Sequence, residues 1–145
     1  MLLSKWYVVM FMFISCNAHC ANLSKIFHSA AKGLHISEKL LSAVCYVESN
    51  HSLKIRKTID NGQISYGICQ IRGATARSVG FKGSFKQLEN PHINIRIAAK
   101  ILAKNLKKYH YDWRMAVTAY NRGSFKPGTR KNNLYTTKVA LAMLE

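Results

Sequence analysis

The chain has 145 residues, a length that suits one domain with a single core and argues against a second domain. Its 22 lysine and arginine residues outnumber 6 aspartate and glutamate residues, so the formal net charge is +16. A charge of this size predicts a polyanionic partner or surface, such as nucleic acid, an anionic cell wall or an acidic membrane. The six histidines are scattered and no CxxC pair occurs, so the sequence predicts no zinc site.

Residues 1–20 have the pattern of an export signal. Lys5 precedes nine uncharged apolar residues, 6–14, and small residues follow near Ala18. A membrane-spanning helix needs about 20 apolar residues, so this stretch is too short to be one. We therefore expect a signal peptide over 1–20, a mature domain over 21–145 without a transmembrane segment, and export to the periplasm or cell envelope. Export argues against nucleic acid as the partner; an N-terminal helix of the folded domain is the alternative interpretation.

The four cysteines divide between the leader and the mature chain. Ala18 and Cys20 are both acceptable last residues of the leader, and a lipid on Cys16 is a further alternative. Cys45 and Cys69 lie in the mature chain, where an even pair in an exported protein permits a disulfide. Two buried thiols that pack as small hydrophobic groups explain the same residues, and the sequence does not choose between the two interpretations.

Most of the mature chain has the period of amphipathic helices, with capping residues and glycines at the expected ends. Helices are expected from Asn22 to Gly33, from Ser37 to Glu48, from Thr75 to Val79, from about His92 to Lys108, from Asp112 to Tyr120 and from Leu134 to Leu144. Between the second and third, Asp60-Asn61-Gly62 predicts a turn, and the alternating run from Ile64 to Ile71 predicts strand. The predicted fold class is mainly α (α+β), with a small β-hairpin or ribbon.

The long helix from His92 to Lys108 has two distinct faces. Its apolar positions are expected to face the core: Ile97, Ala98, Ile101, Leu102 and Leu106. Basic residues four apart form a stripe on another face: Arg96, Lys100, Lys104 and Lys108. A solvated surface and a surface that attracts an anionic glycan both explain this basic stripe.

Glu48 is the first candidate for a catalytic group. Leu41, Val44 and Cys45 precede it at the spacing of one helical face, so its carboxylate shares a face with apolar core residues. Apolar surroundings raise the pKa of a carboxyl group. A raised pKa is what a general acid working near neutral pH needs.

Four short motifs occur in a fixed order along the chain. They are Val47-Glu48-Ser49, Gly67-Ile68-Cys69-Gln70-Ile71, Asn90-Pro91 with Asn94-Ile95, and Ala119-Tyr120-Asn121-Arg122-Gly123. Together they resemble the "ES", "GLMQ", "NP..NI" and "AYN.G" signatures of the soluble-type lytic transglycosylase domain, over roughly residues 35 to 140. The resemblance implies a lysozyme-like fold with the ribbon beside the active-site cleft.

The same resemblance implies an activity and partners. The family cleaves the β-1,4 bond between N-acetylmuramic acid (MurNAc) and N-acetylglucosamine (GlcNAc) in peptidoglycan and leaves 1,6-anhydro-MurNAc ends, without metal or cofactor. The expected partners are therefore peptidoglycan glycan strands, and the expected role is local cell-wall remodelling. Short exported members often accompany secretion, conjugation or pilus machines, so such an apparatus is a further expected partner.

Residue roles follow from the resemblance. Glu48 is implied to be the sole catalytic carboxylate, an acid towards the glycosidic oxygen and then a base towards the C6 hydroxyl of muramic acid. Ser49 is implied to orient the acid or the acetamido group of the substrate; a hydrogen bond at the end of the helix is the alternative. Gln70 is implied to contact sugar and Gly67 to let the backbone pass close to ligand, while a water-facing Gln and a plain turn explain them equally.

Three later residues complete the implied site. Tyr120 is expected to contact the catalytic Glu through its hydroxyl, with a core aromatic as the alternative. Asn121 is expected to line the glycan groove. Tyr135 resembles, more loosely, the tyrosine of a late "RNY..KV" stretch of the family.

The nearest alternative is a goose-type muramidase that hydrolyses the same bond. An inverting hydrolase needs a second carboxylate about 6.5–9.5 Å from the first. Glu38 begins the same helix about 15 Å away. Glu89 and Asp112 lie at helix starts and Glu145 is terminal, so Asp60 is the one acid placed to serve. Turn formation by Asp60 explains it equally. A non-catalytic wall-binding protein and a charge-driven membrane or nucleic-acid binder are the remaining alternatives.

Overall fold

The computed structural model describes residues 22–60, 62–126 and 130–145. The predicted export signal over 1–20, Asn61 of the predicted turn and the side chain of Asp60 lie outside the described residues. Within the described part, no helix is both long enough and apolar enough to cross a membrane.

Most of the described elements are helices, and a small antiparallel sheet lies between α2 and α3 in chain order. In chain order they are α1 over residues 22–32, α2 (Glu38–Ser49), β1 (Lys57–Asp60), β2 (Gln63–Tyr66), β3 (Ile71–Arg72), α3 (Gly73–Arg77), a 3-10 helix (Phe85–Glu89), α4 (Pro91–Lys108), α5 (Trp113–Arg122) and α6 (Arg130–Ala142). The predicted class, mainly α with a small β element, is confirmed. The 3-10 helix was not predicted, and α6 begins before its expected start at Leu134.

Local capping explains why α2, α4 and α5 begin close to where the sequence predicts, whereas α3 begins at Gly73, two residues before its expected start. The side chains of Ser37, Asn90 and Asp112 each accept a hydrogen bond from a backbone amide in the first turn of α2, α4 and α5. Pro91 occupies the first turn of α4, where a missing N–H costs nothing. Gly123, with φ +82°, ends α5 in the left-handed conformation that glycine adopts freely.

The run from Ile64 to Ile71 is not the single strand that its alternation predicts. β2 ends at Tyr66, residues 67–70 form a turn, and β3 returns antiparallel so that Tyr66 pairs with Ile71. Both ends of this 67–70 turn have left-handed backbone, with φ +68° at Gly67 and +48° at Gln70. The sheet therefore has three strands in the order β1-β2-β3, and β1 and β2 form the predicted hairpin.

The core lies between α2, α4, α5 and the 67–70 turn. Its fully buried side chains include Leu41, Val44, Ile68, Leu88, Ile95, Leu102, Val117 and Val139. A disulfide between Cys45 of α2 and Cys69 of the turn crosses this core. Of the two interpretations of these cysteines, a disulfide or two buried thiols, the structure has the disulfide. The bond fixes the turn against the end of α2.

Candidate active site

Glu48 lies in the last turn of α2, half-buried, in the wall of a cavity of about 650 Å³. We call it the main cavity because it contains this candidate acid; a second cavity, between α1 and α2, has a volume of about 810 Å³. The sheet, α3, α4 and α5 form the rest of its wall. Its lining residues are Thr58, Ser65, Gln70, Ile71, Arg72, Ala74, Thr75, Ser78, Val79, Ile101, Lys104, Asn105, Lys108, Ala119, Tyr120, Asn121 and Gly123. Among the described residues that line it, Glu48 is the one acid.

Three side chains from distant parts of the chain surround the carboxyl group of Glu48. The hydroxyl of Tyr135, on α6, donates a hydrogen bond to Glu48 Oε1 at 2.7 Å. The side chain of Asn121, at the end of α5, also hydrogen-bonds to the carboxyl group. The positive charge of Arg72, the last residue of β3, acts on it electrostatically.

These surroundings act on the pKa of Glu48 in opposite directions. Burial disfavours the charged carboxylate and raises its pKa, and this is the largest effect. The hydrogen bonds from Tyr135 and Asn121 and the charge of Arg72 favour the carboxylate and lower the pKa by less. The net result is a raised pKa, so the proton stays on Glu48 to a higher pH than on an ordinary glutamate. A proton donor that is also a stabilised carboxylate once ionised can serve as acid and then as base.

Tyr120 lines the main cavity but does not make the contact expected of it. Its hydroxyl has one proton, and it donates that proton to the backbone oxygen of Cys69 at 2.9 Å. Tyr135 makes the expected tyrosine contact with Glu48 instead. Burial and the nearby Glu48 charge raise the pKa of Tyr120, so this hydroxyl stays protonated and holds the turn.

Gln70 and Asn121 lie where the sequence predicts, in the wall of the main cavity. The amide nitrogen of Gln70 donates to Gly67 O at 2.8 Å, and its amide oxygen accepts a hydrogen bond from Thr58. Both ends of this amide are thus held by neighbours in the sheet and turn. A fixed amide on a cavity wall presents a rigid surface to a polar ligand.

Ser49 and Gly67 have their contacts within the protein and do not line the main cavity. The buried hydroxyl of Ser49 lies 2.6 Å from Ile68 O and 3.4 Å from Cys45 O, so Ser49 joins α2 to the 67–70 turn. The second contact is the helix-end hydrogen bond that was the alternative interpretation. A Cβ on Gly67 would lie 2.5 Å from Asn94 Nδ2, so the close approach that requires glycine here is to the protein itself.

Asn94 is the positioning residue that the sequence analysis did not assign. It is completely buried on α4, where its Oδ1 accepts from Cys69 N at 2.8 Å. Its Nδ2 donates to Tyr66 O at 2.8 Å and to Leu88 O at 2.7 Å. One signal was available, since Asn94 precedes Ile97 at the spacing of the apolar face of α4, where a polar side chain must find partners.

The basic stripe of α4 is divided between two concave surfaces. Lys104 and Lys108 line the main cavity. Arg96 and Lys100 line a separate groove of about 280 Å³ against α1, which we call the α1–α4 groove. Across the described residues, no cluster of three or more His, Cys, Asp or Glu side chains has the arrangement of a metal site.

Comparisons of the sequence with known proteins identify a family and two relatives. A model of the transglycosylase SLT domain family matches residues 25–142. Protein IpgF of Shigella flexneri is 29% identical over 107 residues, which cover 72% of this chain and 69% of that protein. A peptidoglycan-binding-like protein of Escherichia coli O157:H7 is 29% identical over 125 residues, which cover 80% of this chain and 74% of that protein.

One solved structure gives the same picture for the fold. It is the X-ray structure of an inactive variant of the lytic transglycosylase Slt from Pseudomonas aeruginosa. It superposes on 82% of this chain with a TM-score of 0.71 at 17% sequence identity. The chain spans 23% of the length of that protein, and at this identity the likeness concerns the fold alone.

Proposed function

The chain belongs to the transglycosylase SLT domain family, and from this premise we propose that it is a peptidoglycan lytic transglycosylase. It cleaves the β-1,4 bond between MurNAc and GlcNAc and leaves 1,6-anhydro-MurNAc ends. The observation that carries the proposal is Glu48, the one acid among the described residues of a 650 Å³ cavity, with a raised pKa and two hydrogen-bonding neighbours. The similarity to a relative named for peptidoglycan binding supports the choice of substrate.

In the first step, protonated Glu48 donates its proton to the glycosidic oxygen. The bond between C1 of MurNAc and that oxygen breaks, and GlcNAc leaves with the proton on its new hydroxyl. Glu48 is now a carboxylate beside a positively charged C1 centre. The hydrogen bonds from Tyr135 and Asn121 and the charge of Arg72 stabilise this carboxylate when it forms.

In the second step, the Glu48 carboxylate accepts the proton of the C6 hydroxyl of MurNAc. The C6 oxygen forms a bond to C1, which closes the 1,6-anhydro ring and returns Glu48 to its protonated form. No water is consumed, so the reaction needs no second carboxylate to activate one. A single half-buried acid with a raised pKa is sufficient for both proton transfers.

We further propose that the protein is exported and acts on the cell wall in the periplasm or envelope. The leader pattern of residues 1–20 supports export. The +16 charge suits an anionic wall. A role in local wall remodelling, beside a secretion, conjugation or pilus apparatus, rests on the motif resemblance described above.

Mass spectrometry of the muropeptides released from peptidoglycan tests the proposal. The wild type is expected to release 1,6-anhydro-MurNAc products, and Glu48→Gln to lose about 10²- to 10⁴-fold in rate because it cannot transfer a proton. Glu38→Gln is the matched control, since it makes the same substitution on the same helix outside the main cavity. We expect it to retain the wild-type rate.

Two results would overturn the proposal in different ways. Products that end in reducing MurNAc would identify a hydrolase and would direct attention to Asp60 as the second carboxylate. A wild type without muralytic activity, or a Glu48→Gln variant with full activity, would identify a non-catalytic wall-binding protein.

A further inference from the structure

The main cavity has a basic side that cleavage of a sugar bond does not require. Lys104 and Lys108 lie one turn apart on α4, and both side chains are exposed in its wall. Lys104 Nζ is 3.3 Å from Ser78 O and 3.4 Å from Ser78 Oγ, so its ammonium group points across the cavity wall towards the end of α3. Lys108 Nζ lies 5.2 Å from the ring centre of Tyr109.

In the described part of the chain, no acidic side chain forms an ion pair with Lys104 or Lys108. Glu38, another acid of the described residues, pairs with His28 outside the main cavity. The one acid of the described cavity wall is Glu48, and its interaction partners are Tyr135, Asn121 and Arg72 rather than either lysine. Two uncompensated positive charges in a concave wall attract an anionic ligand group.

In a strand with intact stems, the sugar units do not supply that anionic group. Their hydroxyl and acetamido groups are uncharged, and the lactyl carboxyl group of MurNAc is bound to the stem as an amide. The muramic acid unit of peptidoglycan carries its peptide stem on the lactyl ether, and the stem has several carboxylates. A strand bound with its scissile bond at Glu48 therefore brings carboxylates into the neighbourhood of the cavity wall.

Resting on the proposed function, we propose that Lys104 and Lys108 form a subsite for the carboxylates of the peptide stem. The substrate class of the main cavity is then a glycan strand whose stems are intact and carry free carboxylates. A helix rises about 6 Å over four residues, so Lys104 and Lys108 are about 6 Å apart along the axis of α4. The two lysines can therefore bind two carboxylates of one stem, or one carboxylate between them. Lysine suits this task as a flexible point charge that follows a mobile peptide.

The chain offers a matched control for charge alone. Arg96 and Lys100 continue the same basic stripe but line the α1–α4 groove rather than the main cavity. Removal of these two charges changes the net charge of the protein as much as removal of Lys104 and Lys108. A subsite depends on which pair is removed, whereas a general attraction between the protein and the wall does not.

The test compares two substrates with the same glycan and the same stem length, one with free stem carboxylates and one with amidated carboxylates. The measured quantity is the ratio of kcat/KM on the free stems to kcat/KM on the amidated stems. We expect the wild-type ratio to be about three- to tenfold, as for two solvent-exposed ion pairs, and to shrink as salt is added. Lys104→Gln/Lys108→Gln should bring the ratio close to one, whereas Arg96→Gln/Lys100→Gln should leave it at the wild-type value.

Further arms separate the possible failures. Lys104→Arg/Lys108→Arg keeps both charges and should keep the ratio. If the double Gln variant does not fold, Lys108→Gln alone should reduce the ratio, since the side chain of Lys108 is exposed and its substitution should leave the fold intact. Equal wild-type rates on the two substrates, or equal losses from both lysine and control pairs, would overturn this inference alone. No wild-type cleavage of either substrate would overturn the proposed function and this inference with it.

Discussion

Two sides of the main cavity are held in place by different means. At Glu48, the end of α2 meets the 67–70 turn through the Cys45–Cys69 disulfide and the hydroxyl of Ser49, and Asn94 holds the turn from behind. On α4, Lys104 and Lys108 reach into the cavity from an exposed surface. Buried bonds fix the acid to within a narrow range of positions, while solvated charges can follow the ligand. We therefore expect stability and rate to depend on the first side and substrate preference on the second.

The largest effect on stability is expected at Asn94. Asn94→Leu would leave Cys69 N and Leu88 O buried, and Tyr66 O partly buried, without their partner, so the free energy of unfolding should fall by about 3–5 kcal/mol. Urea denaturation with the disulfide intact measures this loss. Asn90→Ala, which removes an exposed helix cap on the same element, should cost about 1 kcal/mol. Equal losses for the two variants would mean that the turn is held without Asn94.

The second-largest loss of stability is expected from removal of the disulfide. Cys45 and Cys69 are 24 residues apart, and the crosslink restricts the unfolded chain over that span. The variant Cys45→Ala/Cys69→Ala should lose about 3 kcal/mol of unfolding free energy. A reducing agent should lower the urea midpoint of the wild type and leave that of the double variant unchanged. A wild type that is insensitive to reduction, with both thiols shown to be free, would contradict the prediction.

Tyr135→Phe is expected to lower kcat/KM about tenfold, because the variant removes a hydrogen bond to a carboxylate. The same hydrogen bond lowers the pKa of Glu48, so its loss leaves the effect of burial less opposed and the pKa rises further. Since the first step needs protonated Glu48, the alkaline limb of the pH–rate profile should move to higher pH.

Two other tyrosines provide the controls for that pH profile. Tyr120→Phe removes a hydrogen bond to Cys69 O and should lower stability without moving the alkaline limb. Tyr111→Phe changes an exposed ring and should change neither quantity. A shift of the limb in Tyr120→Phe but not in Tyr135→Phe would restore the role that the sequence analysis gave to Tyr120.

The smallest effect is expected on the basic side. Lys104→Gln/Lys108→Gln should change the free energy of unfolding by no more than about 0.5 kcal/mol, because both side chains are exposed. Thermal unfolding of the variant beside the wild type measures this difference. A loss above about 1 kcal/mol would mean that the two lysines stabilise the fold. The Glu48 side and the lysine side of the cavity would then no longer differ in their effect on stability.

The helices could be predicted from the sequence because their end signals act within one turn. Ser37, Asn90 and Asp112 cap through amides two or three residues further on, so sequence spacing alone locates these ends. The interrupted strand could not be predicted in the same way. The alternation from Ile64 to Ile71 gives no sign of the turn, and the side chain that hydrogen-bonds to both Tyr66 and Cys69 there is Asn94, which lies on a different element.

The site was predicted in its composition better than in its contacts. Glu48, Gln70, Tyr120 and Asn121, which the motif resemblance singled out, all line the main cavity, and their roles in catalysis and binding stay predictions. The tyrosine that contacts Glu48 is Tyr135, 87 residues away along the chain, and no spacing rule connects two residues so far apart.

Arg72 and Ser49 show the same limit at shorter range. Arg72 was not singled out, although its charge acts on Glu48, because an isolated basic residue at the end of a strand has no distinguishing pattern. Ser49 stands beside the acid in the motif, but its hydroxyl is directed to the 67–70 turn.

Glu48 lies on α2 between two residues that are attached to the 67–70 turn, and this position determines which group moves during the proposed catalytic cycle. Cys45 precedes it and Ser49 follows it, and both are attached to the same 67–70 turn. We therefore expect the backbone at Glu48 to move little during the reaction. In the proposed reaction the proton leaves from and returns to nearly the same point in space, so it is the sugar ring that must travel between the two transfers, from its C1–oxygen bond to its C6 hydroxyl.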